Sequence, residues 1–83
     1  MEFRQLQSLT AVADCGLNVT EAARQLHLVQ SAVSQHLARL EEELGTQVFV
    51  RKGKRLIGIT AAGEKVLDYA RQAMAARENI LAV

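Results

Sequence analysis

Residues 20–45 read TEAARQLHLVQSAVSQHLARLEEELG, and this stretch decides the fold. Asn18 and Thr20 both offer polar side chains for a helix start. Thr20 is read as the cap of a short helix running from about Glu21 to Leu26, and Glu21 meets the positive end of its dipole. A tight link from His27 to about Gln30 follows. Val33, Leu37, Leu40 and Leu44 then recur four, three and four apart, the inward stripe of a third helix. Gly45 supplies the left-handed residue that ends it. Two helices joined this closely need a small residue where the second crosses the first, and Ala22-Ala23 provides it. They also need a hydrophobic residue entering the core from the turn, here Leu28, and an apolar inward position beyond it, here Val33. The pattern predicts a helix-turn-helix.

The outward side of the third helix carries Ser31, Ser34, Gln35 and Ala38, with Arg39 on its flank. Hydroxyl and amide groups suit base edges: glutamine bonds adenine bidentately, and serine donates or accepts. The acids Glu41, Glu42 and Glu43 come only at the far end. Beyond Gly45 the period changes. Gln47-Val48-Phe49-Val50 and Leu56-Ile57-Gly58-Ile59 read as two strands of a hairpin bent at Lys52-Gly53. Before residue 20, Phe3, Leu6, Leu9, Val12 and Ala13 form one face of a first helix that stops at Gly16. After the hairpin, Thr60 caps a last helix of roughly 20 residues, or about 30 Å, in which Gly63 is tolerated near the start. Its apolar stripe of Val66, Leu67, Ala70, Ala73, Met74 and Leu81 is too wide for one contact and favours a homodimer over a helix that merely packs back on its own domain.

Charge is segregated along the chain. The whole carries +1, with ten Lys and Arg against nine Asp and Glu. Residues 1–44 balance to −3, residues 45–63 to +4, and the remainder to zero. The excess is Arg51, Lys52, Lys54 and Arg55, four cations around Gly53 with no acid nearby. Such a cluster fits an anionic polymer as well as a solvated turn; its place beside an acid-free helix face favours double-stranded DNA.

Other classes fare poorly. Hydrophobic residues at 49% exclude a disordered tail. Cys15 is the sole cysteine, so no disulfide framework exists, a reducing cytoplasm is expected, and Cys15 packs near the end of the first helix. No segment approaches the run of about 20 apolar residues that spans a membrane. His27 and His36 stand nine apart, which is not a metal spacing. His27 reads as a residue packed at the turn, and His36 as a core-edge residue able to bond a phosphate. With no nucleophile and base pair and no phosphate loop, an enzyme is not expected, nor a cofactor in this domain. The rival reading is a helical protein–protein interaction module without DNA binding.

Several motifs taken together carry a resemblance. Val19-Thr20-Glu21-Ala22-Ala23-Arg24-Gln25-Leu26, Gln30-Ser31-Ala32-Val33-Ser34, Leu40-Glu41-Glu42-Glu43-Leu44-Gly45, Val48-Phe49-Val50-Arg51 and Thr60-Ala61-Ala62-Gly63 resemble the N-terminal domain of LysR-type transcriptional regulators. The resemblance implies a mainly α fold: a winged helix-turn-helix over residues 1–59, with a two-stranded β wing, and a linker helix for dimerisation over 60–83. It also implies a separate effector domain after it, absent from this chain, through which a small molecule would act. It further implies contacts to bases or phosphates from Gln30, Ser31, Ser34 and Gln35, and to backbone from Thr20 and Arg39. The wing cations Arg51, Lys52, Lys54 and Arg55 would reach backbone or minor groove. The family usually has Pro where Ser31 stands, Ser or Thr where Val29 stands, and often Arg at Gln35, which here implies an adenine-reading or weaker contact in place of a guanine one. The Gln-Ser step and the Arg-Lys-Gly-Lys-Arg wing are similar to the branch controlling cysteine biosynthesis and sulfur assimilation.

Overall fold

Leu6, Leu9 and Val12 recur at helical spacing, and the computed structural model, which describes residues 1–83, buries them on one side of α1 (Phe3–Asp14). Five elements follow: α2 (Val19–Gln25), α3 (Gln30–Leu44), β1 (Phe49–Lys52), β2 (Arg55–Ile59) and α4 (Ala61–Leu81). The mainly helical, winged helix-turn-helix order read from the sequence is the order observed. Ala22 and Ala23 are buried where α3 packs on α2, and Val33, Leu37 and Leu40 line the inward side of α3. These join Val48, Phe49, Leu67 and Ala70 in one core cluster of 12 residues. Truncating Phe49, which is 1% exposed, to alanine would cost about 3–5 kcal/mol.

The ends of α2 differ from the sequence reading. Asn18, not Thr20, is the cap: its Oδ1 accepts from the Glu21 amide at 2.9 Å. Both residue types cap helices, but Asn18 stands in extended backbone three residues before the amide it satisfies. Thr20 therefore falls inside the first turn and its hydroxyl is free for another partner. At the other end His27 adopts the left-handed conformation, φ 58°. The His27 amide donates to Arg24 O at 3.1 Å and the Leu28 amide to Ala23 O at 2.9 Å, a Schellman closure. This reversal leaves His27 exposed and carries Leu28 outward, 40% exposed, instead of into the core. Leu26 packs against the core in its place. Holding a histidine there costs roughly 1 kcal/mol relative to glycine.

The strands pair antiparallel, with Phe49 opposite Ile59, Val50 opposite Gly58, Arg51 opposite Leu56 and Lys52 opposite Arg55. A bulge lies between Val50 and Arg51, and Gly53 turns the chain at φ 61°. β1 starts later than the sequence reading because the Val48 N–H is diverted to Glu41, although the Val48 carbonyl still takes the last ladder bond. The N–H donates to Glu41 Oε2 at 2.7 Å, and the carbonyl accepts from the Thr60 amide at 2.9 Å. Thr60 caps α4 as expected, Oγ1 accepting from the Gly63 amide at 2.9 Å. Gly63 is more than tolerated: a Cβ there would run into the Val48 carbonyl and the Ile59 side chain.

α4 gives most of the expected dimer stripe a partner within its own chain. Leu67 and Ala70 are buried in the domain's own core, and Val66, Ala73 and Met74 pack against it, because α1 runs alongside. Of the six predicted residues only Leu81 lies open, 66% exposed, and its neighbours in exposure are Tyr69 and Ile80. Arg71 ties α4 to Asp14 at 2.8 Å, and the Arg77 guanidinium sits 5.9 Å from the Phe3 ring centroid. Periodicity identified a buried face but not the surface that covers it.

Candidate nucleic-acid interface

α3 starts bare. Its N-cap, Val29, makes no side-chain cap bond, and the first turn holds no acid. The free amides and the positive dipole end therefore face solvent, an arrangement favourable to anions. Gln30, Ser31, Ser34 and Gln35 are exposed on the first two turns, Ala38 and Arg39 on the next. Gln30 is the one oriented by a neighbour: its Oε1 accepts from the Thr20 hydroxyl at 3.2 Å, and its amide N–H groups have no partner within the fold. Ser31, Ser34 and Gln35 make no side-chain hydrogen bond within the fold.

The wing lies across from this face. Thr20, Gln30, Ser34, Lys54 and Arg55 line a single cleft of about 310 Å³, so residues drawn from three elements converge. Lys52 is exposed at the wing tip outside the cleft, and Ser31, Gln35 and Arg39 lie on α3 beyond its lining. Lys52, Lys54 and Arg55 have no acidic partner.

Arg51, expected with the other wing cations to reach backbone or minor groove, differs from its three neighbours in having an acidic partner within the fold. Its Nη2 lies 2.6 Å from Glu41 Oε1, and its Nη1 donates to Glu41 Oε2 at 3.1 Å. Glu41 also accepts from the amides of Val48 and Phe49, the latter at 3.3 Å, and its side chain is only 11% exposed. Burial pushes the Glu41 carboxyl up, but the Arg51 hydrogen bond, the two amides and the Arg51 charge outweigh it and hold the group below its ordinary value. Sequence reasoning missed Glu41 as a structural anchor, although the signal existed: it falls four residues after Leu37, on the inward stripe, where a charge needs a partner.

His36 is likewise committed inward. Its Nδ1 lies 2.7 Å from the hydroxyl of fully buried Ser8, which ties α3 to α1 and takes that nitrogen away from any phosphate. Cys15 is half-buried at the end of α1, as expected. No three His, Cys, Asp or Glu side chains converge to hold a metal. No helix is long and apolar enough to cross a membrane.

Comparison with known proteins places this geometry. The model of the bacterial regulatory helix-turn-helix protein, lysR family, matches residues 3–64. The HTH-type transcriptional regulator CysB of Thiocapsa roseopersicina is 54% identical over 83 residues, all of this chain and 61% of that protein. The regulator cbl of Klebsiella aerogenes is 41% identical over 80 residues, 96% of this chain and 25% of that one. The chain thus spans less than two thirds of the relatives it matches. Among solved structures, a CbnR DBD–DNA complex aligns with a TM-score of 0.82 at 36% identity, covering 99% of this chain and 94% of that one. A BenM DBD complex with benA site 1 DNA aligns at 0.88 and 29%, covering 99% and 90%.

Proposed function

The chain belongs to the lysR family of bacterial regulatory helix-turn-helix proteins, and from that premise we propose that it binds double-stranded DNA sequence-specifically as the DNA-binding domain of a transcriptional regulator. The observation that carries the proposal is the cleft where the polar opening of α3 meets the unpaired wing cations. α3 enters the major groove with Gln30, Ser31, Ser34 and Gln35 toward base edges or phosphates. Lys52, Lys54 and Arg55 reach the sugar-phosphate backbone from the wing, Arg39 reaches it from the flank, and Thr20 orients Gln30. Phosphate contacts supply most of the affinity, and the α3 opening supplies the preference. The alignment with CbnR and BenM domains in DNA complexes supports this use of the surface.

Residues 1–59 carry the DNA contacts in this reading, and 60–83 pair two copies. Leu67 and Ala70 share the domain core, so the pairing surface is the exposed side of α4 that carries Tyr69, Ile80 and Leu81. The domain acts in the cytoplasm by binding and not by catalysis, needs no cofactor, and any small-molecule response belongs to a C-terminal domain outside these 83 residues. Relatives named CysB and cbl support the sulfur-assimilation branch. Selection from a randomised duplex pool, followed by sequencing of the survivors, is expected to enrich two symmetry-related half-sites. Weak retention on duplex DNA that ignores salt would instead favour the protein-docking module.

A further inference from the structure

Four hydrogen bonds converge on one carboxylate at the root of the wing. Glu41 Oε2 accepts from the Val48 and Phe49 amides and from Arg51 Nη1, and Glu41 Oε1 accepts from Arg51 Nη2. The acceptor stands on α3, near the C-terminal end of the helix that presents Ser34 and Gln35. The donors stand at the entry and the middle of β1. Beyond Phe49, this Arg51 pair is the wing's sole side-chain hydrogen bond to the rest of the domain. Lys52, Lys54 and Arg55 project past it without partners of their own.

We infer that Glu41 is a positioning residue for DNA binding: through the two amides and Arg51 it sets the direction in which the wing leaves α3, so that the wing cations and the α3 opening meet one duplex together. The inference rests on the DNA-binding reading above. It makes Arg51 a strut and not a phosphate ligand. It also reverses the sign expected from charge alone. Removing an acid beside a polyanion should tighten binding, whereas releasing the wing should loosen it.

The test measures binding of the 83-residue chain to a labelled duplex of arbitrary sequence as salt rises. Steep, salt-dependent binding by the unsubstituted chain comes first; without it the DNA-binding reading itself fails, whatever Glu41 does. Glu41→Gln is then compared in the native wing and in a wing carrying Lys52→Gln, Lys54→Gln and Arg55→Gln. In the native wing it should weaken binding about fivefold and flatten the salt slope by about two. In the neutral wing, with nothing left to position, it should change binding less than about twofold. Equal losses in both wings, or unchanged or tighter binding in the native wing, would overturn the inference. Where thermal melting shows that Glu41→Gln does not fold, Arg51→Lys carries the same comparison. It keeps the charge but gives up the paired guanidinium contacts, and the same outcomes decide.

Discussion

The first two turns of α3 present neutral groups on a backbone held by its own helix, whereas the wing tip opposite presents Lys52, Lys54 and Arg55 on a two-stranded ribbon. A lone hairpin is marginal in water. This one is fastened at its root by Glu41 and Arg51 on one side and by Thr60 and Gly63 on the other. The two borders of the cleft therefore divide the labour. One holds distinctive hydrogen-bonding groups with little charge, and the other holds charge with little chemical distinction. Substitutions should separate preference from affinity along this border.

The largest effect should come from removing the charge. Lys52→Gln, Lys54→Gln and Arg55→Gln together should weaken binding to every duplex on the order of 100-fold at moderate salt, flattening the salt slope by about three. Anisotropy titrations on specific and arbitrary duplexes would read both, and a loss confined to one sequence would break the division. Gly63→Ala strikes the common root, since the new methyl meets the Val48 carbonyl. It should destabilise the fold by about 1–3 kcal/mol in thermal or denaturant unfolding. Gln35→Ala should narrow the gap between the best and a mismatched site by about 1–2 kcal/mol while leaving arbitrary duplexes nearly unaffected. An equal loss on all sequences would move Gln35 to the phosphate side of the comparison.

The smallest effect separates the borders by pH. Glu41 has its carboxyl depressed in the folded chain, so the stability it contributes is complete above the unfolded value and is lost as pH falls through the folded one. As pH falls below the ordinary carboxylate range, amide exchange at Val48 and Phe49 should accelerate before that of α3 residues near Val33. Simultaneous loss would show that the wing root has no stability of its own.

Much of this was legible in the sequence, for identifiable reasons. The α3 stripe, Gly45 and Thr60 are local signals, and each was met where expected. Asn18 and Thr20 are both competent caps two residues apart, so only the backbone selects between them. Leu28 depended on the conformation of His27, which a side chain's identity does not announce. The α4 stripe was correctly apolar, yet α1 already covers Leu67 and Ala70. In the sequence Glu41 is one of three consecutive acids, yet Glu42 is exposed and Glu43 pairs with the amino group of Met1. One helical position separates solvent from a buried anchor, and composition does not record it.

Ser31, Ser34 and Gln35 support nothing inside the molecule. In the DNA-reading role proposed for them, variation at these three sites is therefore cheap: the groups that would choose a promoter can be rewritten without endangering the scaffold that delivers them. Duplicated copies of such a gene start their divergence with the address already detachable from the machine.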